Sequence, residues 1–206
     1  MPLRSASWIR FLVHAAALAP LAVLLWHLSQ NELGANPIRE IQLRTGRYAL
    51  VLLVLSLGCT PAGVLSGIKQ ILPLRRTLGL YAFLYASLHL FNFLVVDYGL
   101  NIAFIREGIS NKPYALVGLA SFLILLPLAV TSTRGWRARL GDRWKRLHRL
   151  VYLAALLAVL HLLWQVKAGK QEPLIYAGVL AALLIVRLPW VMNLLGRRAQ
   201  KVQEDK

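Results

Sequence analysis

Long apolar runs separated by short polar blocks dominate the chain. The runs lie near 11–28, 48–68, 78–97, 114–132, 150–166 and 174–192. Each suffices for a helix crossing a hydrocarbon core of about 30 Å. Only helices or closed barrels satisfy the backbone in lipid, and runs of this length are not strands. The pattern predicts an all-α polytopic membrane protein, a six-transmembrane-helix bundle forming a single domain over 1–206. Pro20, Pro61 and Pro127 fall inside the runs, where membrane helices tolerate proline and bend. The first run follows Arg4 and Arg10 as a signal peptide would, but it is too long for a signal core and no A-x-A site follows it. It is read as a retained span.

Composition agrees: 58% of residues are hydrophobic, 16% are charged, and the mean hydropathy is +0.58. The formal net charge of +16 would suggest nucleic acid in a soluble chain. Its distribution points to membrane topology instead. Threading the six runs puts seventeen Lys and Arg on one side and seven on the other. The richer side is expected to face the cytoplasm, with both termini there. Tyr and Trp near the run ends, such as Tyr48, Tyr114, Trp144 and Trp164, fit an interfacial belt.

Between the fourth and fifth runs, Trp136, Leu140, Trp144 and Leu147 recur at helical spacing among Arg137, Arg139, Arg143, Lys145 and Arg146. This predicts one basic amphipathic helix on the inner leaflet, attracted to anionic lipid or docking a soluble partner or anionic cofactor. Cys59 is the single cysteine, so no disulfide or zinc spacing exists. No strong internal repeat and no Gly-rich nucleotide loop stand out, and no soluble catalytic domain is expected after the last run.

An ionisable group inside the hydrocarbon is a functional candidate. Carboxylates are nearly absent there, Asp97 lying at a run end, whereas His14, His27, His89 and His161 lie within runs and His148 at a mouth. The third and fifth runs cross in the same direction. His89 lies 13 residues after Arg76 and His161 lies 12 after Arg149, which is about 20 Å and about 18 Å along a helix. Two imidazoles at one depth suit the axial positions of a haem iron; alternatively, each bridges helices by hydrogen bonds. His148 has Arg75 rather than a histidine opposite it, so a second bis-histidine haem lacks a partner. His148 then serves a propionate, a flavin phosphate or alternative ligation, or is simply interfacial. Arg75 and Arg76 either set topology or hold acidic groups of a cofactor. His14 and His27 read as structural, with an outer quinone pocket as a second reading for His27.

Four segments carry a family resemblance: GANPIREIQLRTGRYAL at 34–50, RRTLGLYAFLYASLHL at 75–90, TSTRGWRARLGDRWKRLHRLVYL at 131–153 and HLLWQVKAGKQEPLIYAGVL at 161–180. In this combination the chain resembles the MsrQ (YedZ) family, the haem-binding membrane subunit of a periplasmic protein-methionine-sulfoxide reductase system. The resemblance implies a ferric-reductase-like bundle, haem b tied to the residues at His89, His148 and His161, and FMN. It further implies a cytoplasmic flavin reductase or the quinone pool as donor, and a periplasmic molybdenum-containing reductase as partner in the bacterial inner membrane. Such a chain is an electron-transfer subunit rather than the catalytic one. Wider relatives, the ferric reductases and NADPH oxidases, carry two histidines on the third helix and a fused flavin–nicotinamide domain; here the third run has only His89. A small-molecule permease without cofactor, or a cofactor-free anchor subunit, are the competing readings; both predict a colourless protein.

Overall fold

The computed structural model describes residues 3–166, 171–188 and 191. Lys167, Lys170, most of the expected sixth run beyond Leu188 and the basic residues after Arg187 lie outside them. Among the described residues the chain is helical throughout: α1 (Leu3–Ser29), α2 (Pro37–Ser66), a 3-10 turn (Lys69–Ile71) and α3 (Leu74–Phe91), which continues as a π-helical stretch (Asn92–Asp97). Then come α4 (Ile102–Asn111), α5 (Tyr114–Val130), α6 (Arg134–Leu140), α7 (Asp142–His148), α8 (Val151–Gln165) and α9 (Glu172–Val186).

Four segments are long and apolar enough to cross a bilayer: Trp8–Ser29, Pro37–Ser66, Leu74–Asp97 and Asp142–Gln165. The pair α4 and α5 adds a fifth if counted as one span, although the two meet at 111°. Helix α9 is apolar but has 15 residues, about 23 Å of rise. The protein is thus a multi-pass membrane protein with four or five spans by length among the described residues.

The helices overrun the apolar runs where local signals direct it. Helix α2 starts eleven residues before the second run because Asn36 caps it, its side chain accepting from the Arg39 amide at 3.0 Å, with Pro37 in the first turn. The loop expected to be one amphipathic helix is two. Gly141 sits at φ 50°, ψ −124° between α6 and α7, a conformation that glycine alone adopts freely. The aromatic stripe still holds together, with Arg137 over the Trp144 ring at 5.2 Å and Arg139 over Trp136 at 5.6 Å.

Helix α2 packs most extensively on α3, and α5 on α8; α3 also meets α1 and α5. Small residues allow the close approach: Ala82, Ala154 and Ala155 are fully buried at the centre beside Leu53, Leu57 and Tyr85. Phe11, Leu123, Leu156 and Ile175 face outward, as lipid-facing positions do.

Proline chemistry explains one long-range tie. Pro61 has no N–H, which leaves the Leu57 carbonyl four residues earlier without its helical donor. The Arg187 guanidinium donates to that carbonyl and to the Tyr152 hydroxyl, and stacks over the Tyr152 ring at 5.1 Å. One cation therefore joins α2, α8 and the end of α9. Arg187→Met should lower stability by about 2 kcal/mol, read as thermal unfolding in detergent. Combining it with Pro61→Ala, which restores the N–H, should cost less than the sum of the two.

Candidate functional site

His89, near the end of α3, and His161, near the end of α8, face each other with ring centres 6.1 Å apart and planes at 89°. The Nδ1 of His89 donates to the Gln42 carbonyl of α2 at 2.9 Å, and the Nδ1 of His161 donates to the Tyr114 carbonyl of α5 at 2.7 Å. With Nδ1 protonated, each Nε2 carries a lone pair. Metal-bound histidines are held in this way, their second nitrogen fixed on a carbonyl or carboxylate.

Two glycines make the rings fit. A Cβ on Gly46 would stand 2.9 Å from Cε1 of His89, and one on Gly118 would stand 2.7 Å from Nδ1 of His161. Each glycine lies four residues, one helical turn, after the carbonyl that its histidine grips. The same arrangement therefore occurs twice at a constant offset of 72 residues: Gln42, Gly46 and His89 correspond to Tyr114, Gly118 and His161. The offset extends along α3 and α8. The pattern L-x3-A-x-L-x-A-x-L-H-L covers 78–90 and recurs over 150–162. The absence of a repeat expected from the sequence is thus corrected: the α2–α3 and α5–α8 hairpins are two versions of one unit, and each supplies one imidazole. In this register the counterpart of His148 is Arg76 rather than Arg75.

The donor set fits a haem. A metal–imidazole bond is about 2 Å, so two axial imidazoles on one metal have their ring centres about 6 Å apart. No group of three or more His, Cys, Asp or Glu suited to a bare ion occurs among the described residues. Two facing imidazoles need a macrocycle to supply the other ligands.

The remaining sequence candidates sit elsewhere. His148 ends α7, at the opposite end of α8 from His161. Its Nε2 lies 3.0 Å from the Thr131 hydroxyl, and its ring stacks on Trp144 with centres 4.0 Å apart. Trp144 in turn donates to the Thr131 carbonyl at 2.9 Å. Arg75 is half-buried nearby, its carbonyl accepting from Ser56 at 2.8 Å, while Arg76 is exposed. Neither arginine is in an ion pair among the described residues. His14 is 2.7 Å from the Tyr81 hydroxyl, linking α1 to α3. His27 pairs with Glu32 at 2.9 Å. A cavity of about 370 Å³ is lined by Asp97, Tyr98, Phe104, Glu107 and Lys112, but His27 is not part of it.

Sequence reasoning missed Gln42, Gly46, Tyr114, Gly118 and Asn92. The glycines carried a readable signal, the shared 72-residue offset with the histidines. The carbonyls did not, because every residue has one.

Residues 45–159 match the family model described as a ferric reductase like transmembrane component. Beyond that, the chain is 49% identical over 179 residues to a protein of Xanthomonas axonopodis pv. citri (strain 306), "Protein-methionine-sulfoxide reductase heme-binding subunit MsrQ". The match covers 84% of this chain and 82% of that relative. The chain belongs to the MsrQ family. An MsrQ of Xanthomonas euvesicatoria pv. vesicatoria (strain 85-10) is 50% identical with the same coverage, and one of Xanthomonas oryzae pv. oryzae (strain MAFF 311018) is 48% identical. MsrQ membership and the ferric-reductase-like match agree with the helical membrane fold.

Proposed function

We propose that the chain is the haem b membrane subunit of a periplasmic protein-methionine-sulfoxide reductase system, with His89 and His161 as the axial ligands. The facing pair of imidazoles, each Nδ1 anchored on a main-chain carbonyl, carries this reading. The name of the MsrQ relatives, a heme-binding subunit of a protein-methionine-sulfoxide reductase, supports it. When bound, a haem supplies one-electron redox chemistry. The protein's own part is to fix each Nδ1 on a main-chain carbonyl, to bring the two imidazole rings together and to keep water away with apolar helices.

In this reading the chain crosses the bacterial inner membrane six times with both termini in the cytoplasm, as the seventeen-to-seven charge asymmetry supports. It accepts electrons at the cytoplasmic face from a flavin reductase or the quinone pool and delivers them to a periplasmic molybdenum-containing reductase subunit. FMN is the second cofactor. Arg75, Arg76 and His148 form the basic inner end that receives acidic groups of FMN.

Oxidised and dithionite-reduced absorption spectra of the purified protein test the core of this proposal. Low-spin six-coordinate haem spectra are expected; a colourless protein from haem-replete cells would overturn it.

A further inference from the structure

The two histidines share their anchoring but differ in what meets the second nitrogen. At His89, the side-chain amide nitrogen of Gln42 lies 3.1 Å from Nε2. Its orientation is set independently. Asn92, 3% exposed, donates through Nδ2 to the Gln42 side-chain oxygen at 2.7 Å and to the Ile38 carbonyl at 3.1 Å. With its oxygen taken, the Gln42 amide presents N–H to His89, whose Nδ1 proton is already committed to the Gln42 carbonyl. His161 has no such cap among the described residues. Position 114, the counterpart of Gln42, is a tyrosine whose ring centre lies 5.6 Å from that of His161.

We infer that the Gln42 side chain is a placeholder: its amide occupies the His89 lone pair in the cofactor-free protein and gives way when haem is loaded. The inference rests on His89 being an axial ligand. The physical reason is an asymmetry of costs. A buried imidazole nitrogen left without a donor destabilises the empty protein, so the amide stabilises that state. A metal at Nε2 takes the same lone pair and leaves the amide without its acceptor. Gln42 therefore favours the empty state over the loaded one, and Asn92 keeps the displaced amide from swinging away. Residue 42 acts through His89 and is a positioning residue.

The test uses full-length apoprotein prepared under haem limitation and titrated with haemin. Gln42→Met keeps length and removes the donor. Its haemin dissociation constant should fall about tenfold while the melting temperature of the apoprotein also falls, and the loaded protein should keep its six-coordinate spectrum. A single substitution that tightens loading and weakens the empty fold is not what loss of packing does. Asn92→Ala, which frees the amide, should move both quantities the same way by less, and it serves if Gln42→Met does not accumulate. Unchanged or weaker haemin binding in these variants would overturn the placeholder. A His89→Ala protein that keeps six-coordinate haem would instead overturn the ligand assignment beneath it.

Discussion

His161→Ala protein is expected to emerge from the membrane folded but essentially without haem. The substitution deletes one of the two nitrogens proposed as haem ligands, and a single remaining imidazole would not complete a six-coordinate site. Loss of groups that merely orient a ligand costs about 10–100-fold in metal affinity; loss of the ligand itself should exceed about a hundredfold. Folding should survive. Ser121 still donates to the Ala154 carbonyl at 2.8 Å across α5 and α8, and Ala154 and Ala155 belong to the buried apolar cluster, which does not include His161. Haem content per protein, taken from the Soret band, reads the outcome, with size-exclusion behaviour as the control for folding. His14→Ala, which breaks only the bond to Tyr81, should keep wild-type haem content. Full haem in His161→Ala would remove this residue from the site.

Gly118→Ala should come next in effect, with Gly46→Ala close behind. The methyl group would lie 2.7 Å from the His161 ring in one case and 2.9 Å from the His89 ring in the other. Both glycines lie within helices, so the main chain cannot yield and the imidazole must. Shifting it lengthens the Nδ1 bond to Tyr114 or Gln42 and moves the ring relative to the opposite imidazole. We expect about a 10–100-fold loss of haemin affinity and about 1–3 kcal/mol of destabilisation from overpacking. Haemin titration and thermal unfolding measure the two separately. Gly58→Ala is the control, because a Cβ there meets nothing within 4 Å. It should leave haem unchanged and raise stability by about 0.5–1 kcal/mol, the ordinary helix preference for alanine.

Much of this architecture is legible from apolar runs because lipid imposes a simple length rule, and the depth of His89 and His161 follows from counting residues. Hydropathy, however, measures only the buried part of a helix. The cap at Asn36 extends α2 well beyond its apolar run, and the break at Gly141 divides a stripe that looks continuous in spacing. The bond from Arg187 to Leu57 spans 130 residues and depends on a carbonyl that only the absent N–H of Pro61 sets free. Gln42 reads as one more polar residue in the stretch before the second apolar run. Its meaning needs Asn92, fifty residues later. The paired glycines differ: their spacing to the histidines is identical, and the repeat hides behind sequences that otherwise diverge between 42–50 and 114–122.

That repeated unit also acts as a ruler. In each hairpin a histidine on one helix grips a carbonyl on the other, one turn before a glycine that leaves it no alternative seat. A slip of a single residue along either helix pair, about 1.5 Å, would break the grip. Each imidazole's height is thus fixed inside its own hairpin. The level at which the two imidazoles meet is set twice over, and the loops that join the hairpins can vary without moving it.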